Sequence, residues 1–118
     1  MFLQLNHQKL EVYKATREFV KAAYQLTKLL PNEEKFNLIS QVGRAALSVH
    51  LNLAEGSSRK SISERKRFFE ISRSSVVEVD TALEVIYDLH YCTMEDMEIL
   101  GVHLLHSFKL LTLLINKS

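Results

Sequence analysis

Apolar side chains return every three or four residues along four stretches of the chain, and each such return marks one face of a helix. The first stretch, from about Gln8 to Leu30, carries Val12/Tyr13, Thr16, Phe19/Val20, Ala23/Tyr24, Thr27 and Leu30. Pro31 ends it, because proline has no amide to donate and its ring collides with the preceding turn. The spacing then predicts a second helix capped by Asn32, with Glu33 and Glu34 in its first turn. Its stripe is Phe36, Ile39, Val42, Ala46, Val49 and Leu53, and Gly56 reads as its C-terminal cap.

Ser61-Ile-Ser-Glu64 has the form of a capping box, in which the serine hydroxyl and the glutamate satisfy amides at a helix start. The third stripe follows it: Phe68/Phe69, Ser72, Ser75/Val76, Val79, Leu83, Ile86 and Leu89/His90, reaching about Tyr91. Thr93 caps a fourth helix, with Glu95, Asp96 and Glu98 near its start and a seam of Met97, Leu100, Leu104, Phe108, Leu111 and Ile115. No segment keeps a clean period of two, so strands are not expected. Four long helices joined by loops of about two to five residues predict an all-α, antiparallel up-down-up-down four-helix bundle. A single domain covering residues 1–118 accommodates it.

The surplus of apolar residues changes this picture. In the fourth helix Ile99, Val102, Leu105, Leu110, Leu113 and Leu114 lie between or beyond the seam positions, and from Ile99 to Ile115 the only formal charge is Lys109. The third helix adds Val77, Val85 and Tyr87. Faces of this kind are costly in water, so self-association is expected, with Val102, Leu105, Leu110 and Leu113 as interface residues.

Charge is informative in its distribution. The net charge is +1 over 118 residues, too low for a protein that holds nucleic acid by bulk charge. Yet Ser57 to Arg73 contains Arg59, Lys60, Arg65, Lys66, Arg67 and Arg73 against only Glu64 and Glu70. From Ser74 to Cys92 the signs reverse, with Glu78, Asp80, Glu84 and Asp88 and no basic residue. The third helix is therefore positive at its start and negative at its end.

Catalytic and cofactor chemistry finds little support. No histidine has the Glu-x-x-His spacing of a bundle metal site, and His103 and His106 have no carboxylate partner on their face. Cys92 sits beside His90, but neither the positioned base nor the oxyanion site that a thiolate nucleophile needs is visible. Three glycines cannot make a phosphate loop or a dinucleotide fingerprint. Neither an enzyme, nor a cofactor, nor a metal is expected. The helices flanking Gly56 are too long for a DNA-reading helix-turn-helix. The lone Cys92 suits a reducing, cytoplasmic setting. The N-terminus lacks a signal-peptide pattern. The longest apolar run, Leu113 to Ile115, is too short to span a bilayer, so no membrane partner is expected.

Residues 38–89 carry a more specific pattern: Arg44-Ala-Ala, Ser48, Asn52-Leu-Ala-Glu55-Gly56, Arg59-Lys60-Ser61, Phe68, and Ser75 with Glu78. With Leu30-Pro31 and Glu33-Glu34, this resembles the bacterial four-helix-bundle family encoded by intervening sequences of large-subunit ribosomal RNA genes, often labelled S23 ribosomal protein. Where many relatives have proline and tryptophan, this chain has His50 and Tyr13. The resemblance implies a homo-oligomer, commonly a pentameric ring, with no established enzymatic activity. A related accessory protein of diversity-generating retroelements is a basic pentamer that works with a reverse transcriptase and nucleic acid.

Two readings of the basic segment follow. In the first, Arg59, Lys60, Arg65, Lys66, Arg67 and Arg73 bind RNA or another polyanion, since a helix start also offers free amides to phosphate. In the second they are a solvated helix end, partly paired to Glu64 and Glu70, on a scaffold whose partner is a protein. Arg44, Ser48, Asn52, Glu55, Gly56, Ser61, Glu64 and Glu78 read as structural residues that fix the second hairpin. A fold-back near residue 59 would set Arg44 opposite Ser74, within a turn of Glu70 and Glu78.

Overall fold

The computed structural model describes residues 1–117. It contains four α-helices: α1 (Glu11–Thr27), α2 (Leu38–Ser57), α3 (Ile62–Asp88) and α4 (Met94–Lys117). Short 3-10 turns at Asn6–Lys9 and Asn32–Glu34 precede α1 and α2. Each helix runs antiparallel to its predecessor, in a bundle measuring 44 × 29 × 23 Å. The α1–α2 and α3–α4 connections therefore share one end, and the α2–α3 connection forms the other.

The core runs along the bundle axis. Phe19 and Ala23 of α1, Val42, Ala46 and Val49 of α2, Val76, Val79 and Ile86 of α3, and Leu111 of α4 are fully buried. Thr16, Ser72, Ser75 and Ser107 are buried among them. Small residues on α2 and α3 let those two helices approach closely, and polar pairs then lock their register. Ser72 Oγ donates to the Val49 carbonyl, and Ser48 and Ser75 share a hydrogen bond of 2.9 Å. Asn52 donates to the Ser48 carbonyl and hydroxyl, both at 2.9 Å. This register is offset by about one helical turn from the one expected. Arg44 and Glu78 lie exposed on the outer surface, and no ion pair joins Arg44 to Glu70 or Glu78 among the described residues. Serines, not charges, set the hairpin.

Four local expectations are corrected. The second helix begins at Leu38, not Asn32, so Phe36 leaves the stripe and stands 86% exposed. Pro31 starts only a single 3-10 turn, and Asn37, at φ −115° and ψ −99°, breaks the path into α2. The Glu34 carboxylate instead accepts from Tyr91 Oη at 2.9 Å and reaches the Leu38 amide at 3.5 Å, so an acid still sits at the start of α2. Gly56 is not a left-handed cap but the penultimate residue of α2, where a Cβ would come within 2.8 Å of the Phe69 ring. Close packing, not φ, demands glycine there.

The third helix stops at Asp88, and Leu89 and His90 are exposed. His90 takes the left-handed φ of 63°, with its amide on the Tyr87 carbonyl and the Tyr91 amide on Ile86, a Schellman ending. In α4 the seam turns one position earlier than expected. Ser107 is buried, with no partner for its Oγ among the described residues, while Phe108 is 39% exposed. Met97, Leu100, Leu104, Ser107 and Leu111 follow the regular three-four return, and Ser107 falls on its inward line.

Of the expected caps, Ser61 and Thr93 stand in place. Ser61 Oγ accepts from the Glu64 amide at 3.3 Å. Thr93 and Asp96 make a reciprocal box, at 3.0 Å and 2.9 Å. By length and composition α4 could cross a bilayer, with a window mean hydropathy of 1.5. Here six of its residues, Met97 to Ile115, pack into the core.

Candidate nucleic-acid interface

The α2–α3 tip is built by a tight reversal. Ser57 and Ser58 hydroxyls fold back onto the Leu53 and Ala54 carbonyls, at 2.9 Å and 3.0 Å. Ser58 and Arg59 amides close the last turn of α2, and Ser61 opens α3. Gly56 lets Phe68 and Phe69 lie against the end of α2.

The six cations divide within this frame. Arg65 is a staple: its guanidinium donates to the Ser57 carbonyl at 2.9 Å and the Arg59 carbonyl at 3.1 Å. Its guanidinium carbon also lies 5.7 Å from the Phe69 ring centre. Arg59 pairs with Glu55 at 3.2 Å and lies over the Phe68 ring at 5.0 Å. Arg67 lies over the same ring at 5.5 Å, so two guanidinium groups share one aromatic side chain. Phe68 is thus half-buried at the surface rather than in the core; Phe69 alone fills the core position. Arg73 turns away toward α4, where it reaches Thr112 Oγ1 at 3.3 Å and the Phe108 ring at 5.9 Å. Lys60 and Lys66 are exposed and make no ion pair among the described residues. Glu64 and Glu70 likewise pair with none of the cations.

Lys60, Lys66 and Arg67 are therefore the cations of this tip that no carboxylate or carbonyl claims. They flank the first turn of α3, whose leading amides have no intrahelical acceptor. Such an arrangement suits a phosphate oxygen.

Fitted to a family description, the chain matches that of the 23S rRNA-intervening sequence protein over residues 8–112. The chain belongs to this family. Its fold is similar to the crystal structure of a protein of unknown function from the S23 ribosomal protein family of Bacteroides thetaiotaomicron VPI-5482. The two align with a TM-score of 0.81 and 27% identity, over 88% of this chain and 97% of that one. A search of curated proteins finds no match.

Tyr13 and His50, from α1 and α2, meet each other in space. Tyr13 and His50 rings lie 4.5 Å apart, and His50 Nδ1 is 2.8 Å from Thr16 Oγ1. The Thr16 hydroxyl also reaches the Tyr13 carbonyl at 3.1 Å. Burial, aided by the positive charge of Arg17 and by His7, holds the His50 imidazole below its ordinary pKa. The His50 ring on α2 thus fastens α1.

The remaining titratable groups are structural in their settings. Cys92 is buried, and burial followed by the negative charge of Asp96 raises its thiol pKa, which disfavours a thiolate. The hydrogen bond to Glu34 raises the Tyr91 phenol. His106 faces Glu11 at 3.1 Å, and His103 lies half-buried against α1. Among the described residues no three metal-ligating side chains gather.

Of the expected interface residues, Val102, Leu105 and Leu113 are 61%, 70% and 51% exposed, as is Ile99 at 70%. Leu110 is half-buried against the core and belongs to the bundle as much as to its surface.

Proposed function

We propose that the protein is a non-catalytic, self-associating binding module that holds nucleic-acid backbone, RNA in the first instance, at the α2–α3 tip. The observation that carries this reading is the set of three exposed cations, Lys60, Lys66 and Arg67, that no carboxylate claims at and just after the α3 start, where Ser61 caps the Glu64 amide. One such tip is a weak site. Repeated by symmetry in an assembly, it gains through multivalency. The pentameric ring implied by the resemblance would present five. A reducing cytoplasm remains the expected setting, and no cofactor is needed.

Contact would be to backbone rather than bases, because Phe69 is buried and Phe68 is covered by two guanidinium groups. Fluorescence anisotropy with a labelled RNA tests the proposal. Binding should fall steeply between about 50 and about 200 mM salt, as counterion release requires. Lys60→Gln, Lys66→Gln and Arg67→Gln together should abolish it while leaving helicity intact. Arg65 is unsuitable for this purpose, since its loss would open the loop.

One observation favours a second reading, a protein-binding scaffold without nucleic-acid affinity. Arg59, Arg65 and Arg73 already have partners inside the chain, which leaves half the basic cluster for a polyanion. Absence of RNA and DNA binding even at low salt would select this reading.

A further inference from the structure

At the end of the bundle opposite the basic tip, the outer side of α3 and α4 opens into an apolar groove of about 550 Å³. Leu83 and Met97 form its floor, and Tyr87 and Met94, 48% and 66% exposed, form its walls. Gly101 lines it too, and a Cβ built there would meet nothing within 4 Å. Glycine in a helix interior is less favourable than alanine. Nothing within the chain calls for it, so the space it leaves suits something from outside.

The rim is acidic. Asp80, Glu84, Glu95 and Glu98 border the groove, and none of them has an ion-pair partner among the described residues. From Ser74 to Val102 the chain has seven carboxylates and no lysine or arginine. With a net charge of +1 overall, the rest of the chain carries the compensating positive charge. A second copy therefore brings complementary surface.

The same end of the bundle also bears a fitting projection. Phe36, displaced from α2 by the late helix start, stands 86% exposed, and Lys35 Nζ lies 5.6 Å from its ring centre. The Tyr91–Glu34 hydrogen bond ties this turn to the α3–α4 turn, so projection and groove lie at one height. Glu33 and Glu34 are the opposing charges on the same turn, and Glu34 is engaged by Tyr91. Molecules related by rotation about an axis parallel to the helices would bring one copy's Phe36 level with the next copy's groove.

We infer that the acidic α3–α4 groove receives the Phe36–Lys35 projection of a neighbouring copy, in a head-to-tail interface. Self-association, proposed above, is its premise. The aromatic ring fills the space over Gly101, and Lys35 meets the carboxylate rim. Buried aromatic anchors of this type dominate interface energetics. A head-to-tail contact leaves a free projection and a free groove at the ends of any open chain, so closure requires a ring.

Complementation between two variants tests this. Phe36→Glu destroys the projection and keeps the groove; Gly101→Leu fills the groove and keeps the projection. Circular dichroism should show both folded, and Met94→Glu replaces Gly101→Leu if the latter fails to fold. In sedimentation velocity each variant alone should dissociate at concentrations where the parent assembles, with affinity lowered roughly a hundredfold, equivalent to about 2.7 kcal/mol. Mixed one to one, they should form a heterodimer, joined by the one intact projection in the one intact groove. An assembled parent with Phe36→Glu still fully assembled would overturn the inference and leave self-association standing. So would dissociated variants that form no heterodimer, because the contact would then be of another kind. A monomeric parent would overturn both.

Discussion

Gly56 and Gly101 sit in opposite ends of the bundle, and their surroundings contrast. At Gly56 an added methyl would press within 2.8 Å of Phe69 and 2.9 Å of Phe68, whereas at Gly101 it would touch nothing within 4 Å. The basic tip is closed: its glycine, its serines and Arg65 are all spent on internal contacts. The acidic end is open: Gly101 has nothing against it, the rim carboxylates Asp80, Glu84, Glu95 and Glu98 make no ion pair among the described residues, and Phe36 is exposed. The first glycine serves the fold of one molecule. The second fits the proposed contact with another copy.

Substitution at these two sites should therefore act in opposite directions. Gly56→Ala forces Phe69 or the end of α2 to move and should destabilise by about 1–3 kcal/mol, the usual range for overpacking. Urea unfolding with an unchanged slope would measure it. A neutral result would mean that the α2–α3 approach is looser than the structure has it.

The cap of the closed tip gives a smaller effect. Ser61→Ala removes the acceptor for the Glu64 amide and should cost about 1 kcal/mol in the same assay. Gly101→Ala should instead raise the stability of the dilute monomer by up to about 1 kcal/mol, because the helix gains propensity and loses no contact. A loss of stability there would show that the open end is less open than described.

The smallest effect is expected at the α1–α2 contact, and it depends on pH. The folded-state pKa of His50 lies below its unfolded value of about 6.5, so the unfolded chain takes up the proton first on acidification. Its contribution to stability is present above that value and is lost as pH falls from about 6.5 toward the folded pKa. The slope of stability against pH in this window should flatten in His50→Gln. An unchanged slope would assign the dependence to other groups.

Much of the closed tip could be read in the sequence, because local chemistry determines it. Ser61 before Glu64 names its own amide partner, as Thr93 before Asp96 does at the other end. The alternation of Val42, Ala46, Val49 and Leu53 requires one inward face whatever the partner helix. The open end was harder. Phe36 fits the period of α2, and only the long-range pull of Tyr91 on Glu34 and the broken backbone at Asn37 take it out of the helix. Ser107 and Phe108 differ by one position, or about 100° around the axis, and hydrophobicity alone chose the wrong one. The basic cluster was visible as composition, but its division was not. That Arg65 would staple carbonyls and Arg73 would turn to Thr112 depends on distances across the fold.

The contrast between a closed and an open end rests on the exposed apolar face of α4 being covered by another copy. Sedimentation equilibrium of the unmodified chain at micromolar concentration tests this most directly. A mass at a whole multiple of 13.6 kDa above one is the predicted result. A single stable species of 13.6 kDa at that concentration would contradict it.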